Sequence, residues 1–125
     1  LLNCIYARVV DRGLSAVRIT AFRLFEAMRR QHVEGETQDG FSSLVDAPLL
    51  LIDDLGTEPM MRNITVEYLF TLLNERIIAK RHTVIATNLN PVQLQERYGE
   101  RLSSRLLDRS VCGALFLNGN DLRTL

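Results

Sequence analysis

Three groups of residues in this sequence have the types and spacing to do chemistry. Two acids, Asp53 and Asp54, follow directly on the apolar run Pro48-Leu49-Leu50-Leu51-Ile52. Thr87 and Asn88 follow in the same way on Thr83-Val84-Ile85-Ala86. Arginines recur at every fourth position as Arg97, Arg101, Arg105 and Arg109. Two carboxylates at the dry end of a strand are costly unless a cation or a donor faces them. A Mg²⁺ site offsets that cost, with one acid in the metal's shell and the other orienting a water. The same pair beside Gly56 also suits a plain turn, which Asp caps well, and the residues alone leave both readings open. A guanidinium at a subunit edge can stabilise a phosphoryl-transfer transition state in a neighbour, or hold nucleic-acid phosphates. The plainer reading of the stripe is a solvated helix face balanced by Glu96 and Glu100.

Other chemistries find little support. His32 and His82 stand far apart with no Cys or acid at ligand spacing, which argues against zinc. No serine lies in a G-x-S-x-G context and no Cys/His pair is suggested. Phe22, Phe25 and Phe70 fall on apolar helix stripes and read as packing residues.

The elements that must position these groups alternate along the chain. Leu2, Ile5 and Val9 recur at helical spacing, predicting a helix from Leu1 to Val10 that Asp11-Arg12-Gly13 ends, with Gly13 in the left-handed cap conformation. Ala16-Val17-Arg18-Ile19 reads as a strand, and Thr20 as the cap of a helix striped by Ala21, Leu24, Phe25 and Met28. Residues 33–46 are polar and read as a mobile loop with at most part of a helix. Leu49 to Ile52 fits a strand buried on both faces. Asn63 is the expected cap of a helix with Val66, Leu69, Phe70, Leu73 and Ile77 on one side. Thr83 to Ala86 is a further buried strand, and Asn90-Pro91-Val92-Gln93 carries the signature of a capped helix start. Gly99 interrupts that helix, another runs from Glu100 to Leu107, and Ala114-Leu115-Phe116-Leu117 is the expected last strand. Strands separated by helices imply an α/β fold with a mostly parallel sheet and helices on both faces.

Composition narrows the classes further. The chain has 125 residues, enough for one domain with a real core. Fifteen Lys plus Arg balance fifteen Asp plus Glu, which argues against a polybasic nucleic-acid binder, and 46% apolar residues exclude a disordered tail. No apolar run is long enough to span a membrane. Cys4 and Cys112 read as buried reduced thiols, which suits a cytoplasmic protein. The opening Leu1-Leu2-Asn3 looks like helix interior without a cap, predicting a fragment whose upstream part matters.

Taken in order, these pieces resemble the AAA+ ATPases of the helicase-loader and transposase-helper group, the DnaC, DnaI and IstB-like proteins. Leu49-Leu50-Leu51-Ile52-Asp53-Asp54-Leu55-Gly56 is similar to that group's Walker B. Asn74-Glu75-Arg76, Ala86-Thr87-Asn88-Leu89 and Gly99-Glu100-Arg101-Leu102-Ser103-Ser104-Arg105-Leu106 follow in the family's order. The resemblance implies a three-layer P-loop NTPase core over residues 1–125, from the helix after Walker A to the last strand, without the Walker A segment or lid. It implies ATP and Mg²⁺ as cofactors, with Asp53 on the metal and Asp54 polarising the attacking water. Asn88 would sense the γ-phosphate, and Arg105 would be the arginine finger for the adjacent subunit, with Arg101 one turn earlier as the fallback. Arg123 resembles the sensor-2 arginine that touches bound phosphate in its own subunit.

One departure is large: no G-x-x-x-x-G-K-[ST] occurs, and that loop does most of the phosphate binding. The resemblance therefore implies hydrolysis of ATP by an intact parent and poor binding by these residues alone. The partners it implies are a replicative helicase and single-stranded DNA, in DNA replication, with self-assembly into a homo-oligomer through the finger. The alternatives are an IstB-like transposase helper and an AAA+-like assembly module that no longer hydrolyses ATP. A phosphorylatable receiver domain also places acids at strand ends. It requires a Lys at a later strand end, where this chain has Leu117-Asn118-Gly119.

Overall fold

The run Leu49-Leu50-Leu51-Ile52 sets where the sheet lies, because nothing but burial on both faces suits it. The computed structural model describes residues 1–35, 40–110, 112, 113 and 115. In chain order the elements are α1 (Leu2–Asp11), β1 (Ala16–Thr20), α2 (Ala21–Glu34), α3 (Phe41–Asp46), β2 (Leu49–Leu55), α4 (Thr65–Ile78), β3 (His82–Thr87), α5 (Pro91–Tyr98) and α6 (Glu100–Leu106). The three strands form one parallel sheet in the order β1-β2-β3, with β2 central. Leu50, Leu51 and Ile52 are each 0% exposed, so each contributes a full burial of about 1.5–3 kcal/mol.

Strand alternation divides the sheet into two faces. Leu50 and Ile52, in register with Val17 and Ile19 of β1, look into a core shared with Leu24, Phe25, Met28, Leu69, Leu72 and Leu102. That face carries α2 and α4, with α3, α5 and α6 packed around them. Leu49, Leu51 and Asp53 point the other way, toward the side on which α1 packs on β1 and β2. Helices therefore cover both faces, unequally.

Most of the expected elements are present with small shifts. Thr20 caps α2 by accepting from the Arg23 amide at 3.3 Å, and Gly13 follows α1 with φ 77°. Asn90 and Gln93 close a reciprocal capping box, with bonds of 2.8 and 2.9 Å. Gly99, at φ 86°, separates α5 from α6 and breaks the arginine stripe into two helices.

Other expectations are met in part, fail for a physical reason, or fall outside the described residues. Asn63 does not cap α4; the helix starts at Thr65, whose hydroxyl donates to Pro59 O and accepts from the Met61 amide. The buried side of α4 is Leu69, Leu72, Leu73 and Arg76, while Val66, Phe70 and Ile77 are only half-buried. Within 33–46, residues 41–46 form the expected partial helix, because Phe41 and Leu44 anchor α3 in the core. Phe22 is exposed, since Leu24 and Phe25 fill the core side of α2. Cys4 is exposed and Cys112 half-buried, so neither is the buried thiol expected. The expected strand at 114–117 lies outside the described residues, apart from the exposed Leu115.

Arg76 is the structural surprise, a charged side chain that is 0% exposed. Its Nη1 donates to Leu44 O at 2.8 Å, Val45 O at 3.1 Å and Ala47 O at 2.7 Å. Its Nη2 donates to His82 O at 2.7 Å, and its Nε to Thr83 Oγ1 at 2.8 Å. Burial, with the charge of Arg81 adding to it, lowers its pKa from the usual guanidinium value. A guanidinium nonetheless stays protonated in a protein, so carbonyl dipoles must replace its water. Arg76 thus joins α4, the C-terminus of α3 and the entrances to β2 and β3. Replacing it with Ala orphans several buried carbonyls, at about 1–3 kcal/mol each. Arg76→Ala is expected to cost on the order of 3–5 kcal/mol in urea unfolding. Arg76→Lys, which keeps the charge but not the fork, should recover less than half of that loss.

Candidate functional site

The acid pair sits where β2 breaks its regular pairing with β3. Ile52 is opposite Ile85, but the next pair is Leu55 with Thr87, so Asp53 and Asp54 together face Ala86. Two residues against one make a bulge, which bends the strand and re-aims its side chains. Asp54 takes up the extra length at φ 57°, a left-handed conformation that Asp tolerates better than most residues. Its amide donates to Asp53 Oδ1 at 2.9 Å, which fixes the first carboxylate in place. Asp53 is half-buried and Asp54 is exposed, so the second acid projects freely from the edge.

The next turn ties β2 to β3. The Thr57 hydroxyl and amide both donate to Asp54 O, at 2.8 and 3.2 Å. Thr87 Oγ1 donates to Leu55 O at 2.6 Å and accepts from the Leu89 amide at 3.1 Å. Asn88, the residue between, is exposed on this same carboxyl edge. Gly56 sits at φ 112°, and a Cβ there would meet Leu89 Cδ1 at 2.8 Å. The fold therefore brings Asp53, Asp54 and Asn88 to one edge, where parallel α/β sheets bind ligands.

Arg105 is elsewhere, on α6. Its guanidinium lies 5.7 Å from the Phe70 ring centroid, and that of Arg101 lies 4.0 Å from the same ring. Phe70, Arg101, Ser104, Arg105 and Asp108 line a shallow groove of about 600 Å³. Arg101 is also bound to Glu67 at 3.0 Å. Each contact is worth about 0.5–1 kcal/mol at an exposed position, together roughly a ten-fold preference for that rotamer. Among the described residues Arg105 makes no salt bridge. Arg109 is exposed in the turn after α6, and Arg123 lies outside the described residues.

The sequence reading missed Glu58. This acid is buried at 4% exposure behind the turn, with Oε2 accepting from the Gly56 amide at 2.8 Å. Tyr98 donates its hydroxyl to Oε1, and Arg97 Nη2 lies 3.7 Å from that oxygen while donating to Glu58 O. Burial first, then the bond to Glu58, push the Tyr98 pKa well above the usual phenol range. Forty positions separate Glu58 from Tyr98, and no spacing rule in the sequence announces the contact.

Among the described residues no group of three His, Cys, Asp or Glu could enclose a metal ion. Asp53 offers one oxygen beyond its bond to the Asp54 amide. That donor set fits an ion that keeps its waters and arrives with phosphate oxygens, as Mg²⁺ does.

This parallel sheet with helices on both faces, carrying an acid pair and an amide on adjacent strand ends, has the AAA+ P-loop NTPase fold. The chain belongs to the family described as IstB-like ATP binding protein, which matches residues 3–124. A DnaC helicase loader is similar in structure, with a TM-score of 0.66 and 21% identity over 78% of this chain. A DNA replication initiation factor gives 0.68 and 21% over 83%, and the replication initiator DnaA bound to AMPPCP and single-stranded DNA gives 0.69 and 22% over 84%. The chain spans 59% of the length of the loader and 32% of each of the other two. No curated protein gives a significant sequence match. Among the described residues no helix is long and apolar enough to cross a membrane.

The close approach at Gly56 gives a direct test of the turn. Gly56→Ala combines a positive-φ penalty with a clash and should cost about 1–3 kcal/mol in chemical denaturation. Adding Leu89→Ala should return only the steric share, so the double variant remains less stable than Leu89→Ala alone.

Proposed function

We propose that this chain is part of an ATPase that loads a replicative helicase onto single-stranded DNA, and that residues 1–125 are the AAA+ domain from the helix after Walker A onward. The observation that carries the reading is the bulged Asp53-Asp54 pair sharing its edge with Asn88. Membership of an ATP-binding family and likeness to a helicase loader support it. Likeness to an initiator bound to AMPPCP and single-stranded DNA supports the nucleotide and the DNA.

Asp53 is the residue to hold Mg²⁺ through its remaining oxygen, and the ion would supply charge neutralisation for the phosphates. Asp54, projecting from the bulge, would polarise the attacking water. Asn88, just past the end of β3, would sense the γ-phosphate. Arg105 is the finger for a second copy, and the docking of Arg101 on Glu67 and Phe70 favours Arg105 over it. Arg123 is retained as the candidate for contact with phosphate in the same subunit. The family description gives the second reading, an IstB-like transposase helper with the same ATPase core. Retention of the intact protein by an immobilised replicative helicase supports the loader, and retention by a transposase alone supports the helper.

In the intact protein, Asp54→Asn should leave ATP binding in place and slow hydrolysis on the order of 100-fold or more. Arg105→Ala should reduce turnover on the order of 10³-fold. Mixing the two variants should restore part of the activity, because one contributes Asp54 and the other the finger. Normal turnover by Asp54→Asn would remove that residue from catalysis. A mixture that co-assembles without recovery would rule out action in trans. No ATP binding by the intact protein would leave an assembly module.

A further inference from the structure

The acid-bearing turn and the arginine-bearing helix are joined by one buried cluster that the proposed chemistry does not use. Glu58 holds the turn through the Gly56 amide at 2.8 Å, two residues beyond Asp54. The same carboxylate is held from the other side by the Tyr98 hydroxyl and by Arg97. Tyr98 is the last residue of α5, and only Gly99 separates it from α6, which carries Arg101 and Arg105. Gly99 has φ 86°, and a Cβ there would meet nothing within 4 Å, so the joint is not packed in. The far side of α6 is held separately, through Arg101 on Glu67 and Phe70 of α4.

The grip is single-ended. Arg97 makes both of its contacts to Glu58 through Nη2, and its buried Nε has no partner among the described residues. A buried carboxylate with this many directed donors has one comfortable position. When the turn shifts, Glu58 must either carry Tyr98 with it or give up a buried hydrogen bond. Giving up that bond is costly in a low-dielectric site. A shift at Asp53-Asp54 would therefore pull on the end of α5, which packs directly against α6.

We propose that Glu58, gripped by Tyr98 and Arg97, is a positioning residue that couples the Asp53-Asp54 turn to helix α6, so that nucleotide at the acids sets the reach of Arg105. This rests on the nucleotide reading given above. The test is amide hydrogen exchange on the intact protein, with and without a non-hydrolysable ATP analogue and Mg²⁺. Residues 53–57 and residues 100–106 are read separately. In the wild type, both segments should change protection by at least about three-fold when nucleotide binds. In Tyr98→Phe, which removes one hydroxyl and keeps the ring, the turn should still respond and α6 should not. Glu58→Gln, similar in shape, should behave like Tyr98→Phe. A thermal melt confirms that each variant is folded, and the better-folded one is used. Steady-state kinetics should show the same split, with kcat down at least ten-fold and KM within three-fold of the wild type.

An α6 response of full size in the variant would overturn the coupling and leave the nucleotide reading intact. The same holds if the wild-type turn responds while its α6 does not. Failure of the wild-type turn to respond, with no analogue bound, would overturn the nucleotide reading and the coupling with it.

Discussion

The fold depends on a charge that never meets water. Arg76 brings together the end of α3, the link from it into β2, the first residues of β3, and its own helix α4, using carbonyl oxygens in place of a counter-ion. A guanidinium suits this role because it offers several donors in a rigid plane, and each bond to a charged donor is stronger than a neutral one. Arg81 adds to the same junction through the carbonyls of Val45 and Asp46. All of these bonds lie at the entrance end of the strands. Fixing β2 against β3 there sets the register of Leu49 with His82 and, three pairs on, the opposition of Ile52 and Ile85. The opposite ends of the same strands then deliver the acids and the amide to a common edge.

At that edge the regular sheet is given up in a controlled way. One extra residue in β2, accommodated at Asp54 with a positive φ, turns the second acid out of the alternation that buries Leu50 and Ile52. The cost of that conformation is met by a dense set of local bonds, from Asp53, Thr57, Glu58 and Thr87. Strain held by this many constraints is typical of sites where geometry has to be ready before the ligand arrives. The arginines are treated differently, since those on α6 lie on an aromatic ring at the surface.

Much of this was legible in the residues. The unbroken run before Asp53 marked a strand buried on both sides, and Asn90-Pro91-Val92-Gln93 marked a helix start down to its reciprocal bonds. Gly99 marked the break between α5 and α6. Local rules govern each of these. What stayed hidden depends on contacts between distant residues. Arg76 belongs to a helix whose apolar stripe suggested a different buried face, and Glu58 meets Tyr98 from forty positions away. Phe22 shows the converse, an apolar residue at helical spacing that the core had no room to take. The bulge also could not be read, because pairing register is a property of two strands. The family resemblance supplied the order of the motifs, and the match over residues 3–124 placed the chain in the IstB-like group.

On the proposed function, the bulged acid pair handles a metal-bound nucleoside triphosphate. Isothermal titration calorimetry of ATP into the intact protein tests it most directly, run with Mg²⁺, with EDTA, and with Asp53→Asn. Saturable binding is expected with Mg²⁺, weakening at least about ten-fold in EDTA and in the Asp53→Asn protein. Binding of equal strength in all three, or none in any, would contradict it.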